Sequence, residues 1–197
     1  MGMRSTLIIV PRMFTKSEYI EALSYVPDDY DAKSEEFWSY VTDKLKVFRG
    51  RIQKVFRESL SKDTRKALRT VSRDDEGGYA LIVGLLEEGA ELKPTEDPIL
   101  VGETESWLNM IKDSPNDTLL ELYEQSLKER NQDLSDRITQ ALGEGEVGLL
   151  LIDSRRKLDF SEDIRVIRVC PFDPADYLNT EIVKARLKSK QTFMSES

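Results

Sequence analysis

Asp153-Ser154-Arg155-Arg156 follows without a break on the apolar run GLLLI at residues 148–152. A carboxylate, a hydroxyl and two guanidinium groups are thereby set where a buried strand returns to water. Arginine offers paired donors that fit a carboxylate or phosphate in two-point contact, so this junction has the chemistry of an anion site. Arg12 follows Pro11 at the end of another aliphatic run. Arg130-Asn131 forms a polar turn within the otherwise apolar seam Leu120, Tyr123, Leu127, Leu134, Ile138 and Ala141 of a long helix. In an open α/β sheet, ligands bind outside the carboxyl ends of the strands. The expected ligand-binding residues are therefore Arg12, Arg130, Asn131, Asp153, Ser154 and Arg155.

The long helix and the strand after it can be registered by their rises. From Gly148 to Asp153 the strand climbs roughly 16 Å at about 3.3 Å per residue. The same climb takes roughly 11 helical positions at about 1.5 Å each, and counting back from Ala141 reaches Arg130. Arg130 is thus expected beside Asp153, either as a structural ion pair or with both groups facing a ligand. Arg12, Arg155 and Arg156 are open to the same two readings, an anion pocket or a solvated turn.

Much other chemistry is excluded. The chain has no histidine, which removes Ser-His-Asp and Cys-His arrangements, histidine-ligated zinc or iron, and histidine general-base catalysis. One cysteine, Cys170, allows no internal disulfide and no multi-cysteine zinc site. Glu96, Asp97 and Asp153 are the carboxylates from which a magnesium site would have to be built, but no DxD-like spacing supports one, so neither metal nor cofactor is expected. Gly143-Glu144-Gly145-Glu146 is not a phosphate loop, because it follows a helix and precedes a strand, and its acids repel phosphate. A net charge of −8 makes nucleic acid a poor main partner. No apolar run approaches the roughly 20 residues that span a bilayer. Leu7–Val10 is too short for a signal-peptide core, so a cytoplasmic protein is expected. Met1-Gly2-Met3-Arg4-Ser5-Thr6 formally fits a myristoylation pattern, though the second methionine points to a native start at Met3.

These residues need a frame to hold them. At 197 residues, 39% hydrophobic and 34% charged, the chain fits one soluble domain with a sizeable core. STLIIV at 5–10 reads as a strand buried on both faces. Thr15-Lys16-Ser17-Glu18 is a capping box that opens a short helix, and Phe37, Trp38, Val41, Leu45 and Phe48 mark a second helix over 32–48. RIQKVF at 51–56 is a plausible strand whose basic alternation suggests an edge or a half-exposed position, followed by a polar helix over 61–71 and a loop over 72–78. An apolar helix over 79–88, a very short strand at 90–93 and a helix over 98–112, with Trp107, Leu108 and Ile111 inward, come next. The long helix spans 117–142, the central strand 147–153 and a near-edge strand 164–170. A final helix opens at Asp173-Pro174 and runs to about 187. Strands separated by helices predict an α/β layered domain, with a mostly parallel central sheet of about four to five strands flanked by helices. One α/β domain is expected over 1–188, with 61–115 as a helical insertion or cap, and a flexible tail over 189–197.

Glu129-Arg130-Asn131-Gln132-Asp133-Leu134-Ser135-Asp136-Arg137-Ile138, followed by ALGEGEVGLLLID and then SEDIRVIRV, resembles the terminal segment of TraB/ChaN-like and erythromycin-esterase-like α/β proteins over residues 129–169. Those families carry an arginine followed by asparagine or aspartate on a helix, then a glycine-flanked apolar strand, then a motif ending in histidine. Arg130 and Asn131 match the helix motif. Where the histidine motif would begin, this chain has Asp153-Ser154-Arg155-Arg156. The resemblance implies an α/β fold and a divergent member without histidine- or metal-dependent hydrolysis. The helix and strand also resemble other α/β proteins, including the terminal domain of release-factor-like proteins.

The functional expectation is binding of a small anionic ligand or partner at the carboxyl ends of the strands, without histidine-dependent catalysis. One alternative is a carboxylate-based hydrolase, with or without magnesium, in which Asp153 or Glu96 acts as base or metal ligand and Arg130 stabilises negative charge. A second is an assembly protein, including a homo-oligomer, that uses the aromatic helix around Phe37 and Trp38.

Overall fold

Every neighbouring pair of strands in the sheet is parallel, and the strand order is β3-β2-β4-β1-β5. The computed structural model describes residues 4–61, 68–69 and 75–195, with side chains described as far as residue 187. Its elements are β1 (Ser5–Pro11), α1 (Lys16–Leu23), α2 (Tyr30–Leu45), a 3-10 turn (Lys46–Phe48), β2 (Ile52–Arg57), α3 (Glu76–Glu87), β3 (Glu91–Leu92), α4 (Pro98–Asp113), α5 (Asp117–Ala141), β4 (Val147–Ile152), β5 (Ile164–Arg168) and α6 (Pro174–Ser195). This is a layered α/β fold. Most of the polar helix expected over 61–71 lies outside the described residues, as do residues 1–3 and the last two residues of the expected tail.

Helix starts follow the local chemistry. The Thr15 side chain accepts from the Glu18 amide (3.2 Å) while Glu18 accepts from the Thr15 amide (2.7 Å), closing the capping box. Asn116 accepts from the Leu119 amide (3.0 Å) and Asp173 from the Ala175 amide (2.9 Å). Gly89, at φ +100°, supplies the left-handed residue that ends the turn after α3.

Three expectations are corrected. β2 is not at an edge but lies between β3 and β4; β3 pairs with only its Lys54 and Val55, and the half-exposed alternative fits its mixture of buried and exposed positions. α3 begins at Glu76, so Gly77 and Gly78 are helical rather than loop. Asp75 caps it by accepting from the Gly78 amide (2.9 Å), and the bare face of Gly77 is where the Trp38 indole lies. α6 continues to Ser195, past the stop expected near 187.

The two faces of the sheet carry separate cores. On one face Tyr19, Phe37, Val41, Ile82 and Leu178, from α1, α2, α3 and α6, cover Ile8, Val10, Val55, Leu149 and Leu151. Phe37 meets Trp38 and Phe172 edge-on, with ring centres 5.2 and 5.5 Å away. The rings named above as a candidate interface are thus packed within the monomer. On the other face Leu134 and Ile138 of α5, with Leu158 and Phe160 after β4, cover Leu7, Phe56, Leu150 and Ile152. All six residues of β4 are buried, as a strand covered on both faces requires.

α5 has two halves. Leu134 and Ile138 are fully buried, whereas Leu120 on the same seam is 44% exposed. The first half pairs with α4, joined by a buried contact of 3.0 Å between the Thr104 and Ser126 hydroxyls. Of α4 only Thr104 is fully buried, and the inward set expected there is no more than half-buried. Arg130-Asn131 is therefore the junction where the helix passes from the sheet to this helical hairpin. Among the described residues, no helix is long and apolar enough to cross a membrane.

Candidate functional site

Three strands end level. Pro11 of β1 lies opposite Ile152 of β4, and Arg57 of β2 opposite Leu151. The ladder extends by one bond on each side: the Arg12 amide donates to the Ile152 carbonyl (2.9 Å) and the Glu58 amide to the Leu151 carbonyl (3.0 Å). Arg12 and Glu58 are thereby fixed on either side of the β4 end, where Asp153 follows. From there β4 leads toward the α5 face, while β1 and β2 lead toward the opposite face. Such divergence opens a crevice at the carboxyl ends of a parallel sheet.

Alternating charges run across this edge. Glu18 receives Arg12 Nη1 and Nη2 (2.9 and 2.7 Å), and Arg12 Nε reaches Glu58. Arg156 Nη1 stands 3.8 Å from the second Glu58 oxygen and also bonds Glu96, while its Nε donates to Asn131 Oδ1 at 2.8 Å. Glu96 receives Arg130 Nε and Nη2 (3.2 and 2.7 Å) and the Ser59 amide (2.6 Å). The chain is thus Glu18, Arg12, Glu58, Arg156, Glu96, Arg130. It ties the ends of β1, β2 and β4 to the segment after β3. Arg155 forms a side branch, giving Asp153 its backbone amide (2.9 Å), Nε (3.0 Å) and Nη2 (2.5 Å). The guanidinium carbons of Arg12 and Arg155 lie 5.2 and 4.8 Å from the Phe14 ring centre, which steadies both by cation–π contact.

Burial alone would raise the carboxyl pKa values here, but the arginines prevail. Hydrogen bonding by Arg130 and the charges of Arg156 and Arg130 hold Glu96 below the ordinary carboxylate range. Arg155 does the same for Asp153, and Arg12 for Glu18. Burial would lower the pKa of Arg12, yet Glu18 and Glu58 raise it. Glu18, Glu96 and Asp153 are therefore carboxylates near neutrality. The arginines of the cluster are not fully used. Arg156, with a side chain only 8% exposed, keeps an Nη2 donor that is buried and has no hydrogen-bond partner among the described residues. An unused buried donor carries a desolvation cost of about 1–3 kcal/mol.

The strand ends, α1 and the α4–α5 hairpin enclose a cleft of about 670 Å³. Arg12, Arg130, Arg155 and Arg156 line it together with Glu58 and Asp153. Leu108, Tyr123 and Leu127 of the hairpin give it an apolar wall.

Of the residues expected to bind ligand, Arg12, Arg130, Asp153 and Arg155 meet in this cleft. Asn131 supports Arg156, and Ser154 is bonded instead to Asp173 at the start of α6. Arg130 and Asp153 line the same cleft but do not form the ion pair that was one of the two expected arrangements. Arg130 pairs with Glu96, because β2 and β3 lie on its side of β4, and Asp153 is claimed by Arg155 two residues along. Glu96 has both oxygens engaged and its side chain wholly buried, so it is unsuited to act as base or metal ligand. Asp97 caps α4 through the Ile99 amide (2.8 Å). Among the described residues no cluster of three or more acidic or cysteine side chains is arranged to hold a metal ion.

Arg156, one of the arginines open to the anion-pocket reading, lines the cleft, and so do Glu58 and Ser59, which the sequence does not single out. The strand-end rule applies equally to Arg57-Glu58-Ser59 once RIQKVF is an inner strand. Comparison of the chain with protein-family models, curated proteins and solved structures finds no match.

Proposed function

We propose that the chain binds a small anionic ligand in the cleft at the carboxyl ends of β1, β2 and β4, without histidine-dependent catalysis. The observation that carries this reading is the set of four arginines meeting in one cleft. A guanidinium already oriented by a carboxylate loses little freedom when it takes up an anion, so preorganisation favours binding. Arg155, 57% exposed and held by Asp153 and Phe14, is the arginine a ligand meets first. The cleft also falls within the roughly 300–1,000 Å³ typical of small-molecule sites. The resemblance of residues 129–169 to TraB/ChaN-like and erythromycin-esterase-like proteins supports the same reading, since Asp153-Ser154-Arg155-Arg156 stands in place of their histidine motif.

A thermal-shift series with phosphate, nucleotides and organic carboxylates tests it, comparing wild type with Arg155→Ala. A ligand at 100 times its Kd stabilises by about 2.7 kcal/mol, which for a domain of this size raises Tm by roughly 5–11 °C. At least one anion is expected to stabilise the wild type and to lose most of that effect in Arg155→Ala. Equal shifts in the two proteins would place binding elsewhere, and no shift with any anion would overturn the reading.

A further inference from the structure

Basic charge gathers in one place on this acidic chain. Residues 44–57 hold six cations and no acid. Two of them are used inside the fold, where Lys54 meets Glu146 at 2.6 Å and Arg57 stands 3.6 Å from the buried Asp75. Lys44, Lys46, Arg49 and Arg51 remain exposed around the 3-10 turn. Lys46 pairs with Asp43 at 3.0 Å and Arg49 with Glu88 at 3.1 Å, but the two cationic side chains are 71% and 80% exposed. Such solvent-screened pairs are weak and yield readily to another anion. The same turn borders a groove of about 430 Å³ between α2 and α3. Leu45, Ile52 and Leu85, all buried, form its floor, and Trp38, Phe48 and Leu81 its walls. Lys46 and Arg49 line it as well, so two cations stand at the mouth of an apolar pocket of small-molecule size. Glu88, the acid at the same mouth, is already occupied by Arg49 and by the Gly50 amide (3.2 Å).

We propose that this groove is a second binding site, separate from the strand-end cleft, and that it takes a single-chain anionic amphiphile, in chemical class a medium-chain alkyl carboxylate. The alkyl chain lies on Leu45, Ile52 and Leu85, and the carboxylate meets Lys46 and Arg49, with Lys44 and Arg51 adding to the positive field. Charge complementarity selects this occupant over the others. A second copy in a twofold contact would set the basic patch against itself. A membrane surface needs a broad apolar face, whereas the large apolar side chain that stands out beside these cations is Val47, 69% exposed, and the rest of the apolar surface is concave. Gly84 lines the same groove, and a Cβ there would meet nothing within 4 Å among the described residues. The space above it is thus left open by the chain itself.

Isothermal titration of the full chain with octanoate, hexanoate, octanol, octylammonium and vesicles of phosphatidylglycerol tests it. Octanoate is expected to bind most tightly. Hexanoate, two methylenes shorter, binds roughly 15-fold more weakly, and octanol roughly 3- to 10-fold more weakly, the scale of exposed ion pairs. Gly84→Leu fills the groove with a good helix former, so it abolishes octanoate binding while a thermal melt shows the fold retained. The surface double variant Lys46→Gln with Arg49→Gln leaves the groove intact and brings octanoate and octanol together. Arg155→Ala, in the other cleft, leaves octanoate binding unchanged. Octanol or octylammonium binding as tightly as octanoate would overturn the proposal, as would octanoate binding that survives Gly84→Leu or that is lost in Arg155→Ala. Vesicle binding without octanoate binding would make the patch a membrane contact, and a dimer that Gly84→Leu dissociates would give the groove to a second copy; either result, or no octanoate binding at all, contradicts it.

Discussion

The two ends of the sheet use polar residues differently. At the amino end polar side chains mainly reach backbone atoms. Ser5 donates to the Gly143 carbonyl (2.7 Å), Gln53 accepts from the Val147 amide (2.7 Å), and Glu146 accepts from the Gly143 amide (2.6 Å). Lys54 donates to the Ala141 carbonyl (2.5 Å) at the end of α5 and to Glu146 (2.6 Å), where a cation also suits the helix dipole. At the carboxyl end, charged side chains from separate elements bind one another, enclose a cleft and leave a donor over. Polar groups at the amino end satisfy backbone atoms that folding would otherwise orphan. Those at the carboxyl end exceed what the backbone requires, and this surplus marks the site.

The largest expected break of this contrast is Glu96→Ala. It leaves Arg130 and Arg156 buried without their shared carboxylate, which typically costs about 3–5 kcal/mol; urea unfolding should show the loss as a lower midpoint. A loss below about 1 kcal/mol would mean that the cluster is solvated and its pairs weak.

Acid titration probes the same cluster without mutation. Glu18, Glu96 and Asp153 have folded pKa values below their ordinary values, so in acid the unfolded chain binds more protons than the folded one. Their contribution is complete above the ordinary values of 4.5 for glutamate and 3.8 for aspartate, and is lost as pH falls through the depressed folded values. Stability measured from pH 7 to pH 3 should therefore fall in the acid limb. Glu96→Gln, less stable throughout, should show a shallower fall, and an unchanged slope would remove Glu96 from the linkage.

Gly148→Ala tests the packing below the amino end. A Cβ there would stand 2.9 Å from Leu142 Cδ2 and 3.0 Å from Phe56 Cε2, and overpacking of this kind costs about 1–3 kcal/mol. The smallest pair sharpens the contrast. Lys54→Met keeps the aliphatic stem and loses its hydrogen bonds, for about 1 kcal/mol. Arg155→Ala at the carboxyl end should cost less than about 1 kcal/mol, since the pair is largely solvent-screened. Only Arg155→Ala should lower ligand affinity; equal affinities in the two variants would erase the functional difference between the ends.

Local rules carried much of the fold into view. Thr15, Asn116 and Asp173 announce helix starts because capping is decided within four residues. β4 is legible as the central strand because GLLLI has no polar position. The Arg130-Asn131 break was visible for the same reason, and rise arithmetic brought Arg130 to the right cleft. What failed was lateral. Rises give height along a strand, not which strand lies beside it, so the partnership of Arg130 with Glu96 needed the order β3-β2-β4. Glu58 is hidden in the sequence because the basic alternation of RIQKVF suggests an edge or a half-exposed position, whereas Lys54 and Gln53 serve to close the amino end. The apolar spacing of α4 suggests core, but α4 packs on α5 rather than on the sheet and turns Leu108, 38% exposed, to the cleft.

The most direct test of the central claim is an NMR spectrum of the arginine side-chain N–H groups, recorded with and without millimolar inorganic phosphate and 3-phenylpropionate. The account predicts that the Arg155 and Arg156 signals shift in a saturable manner with at least one of these compounds, while Arg165 and Arg168 on β5 stay in place. Saturable shifts confined to residues outside the cleft, with Arg155 and Arg156 unmoved, would contradict it.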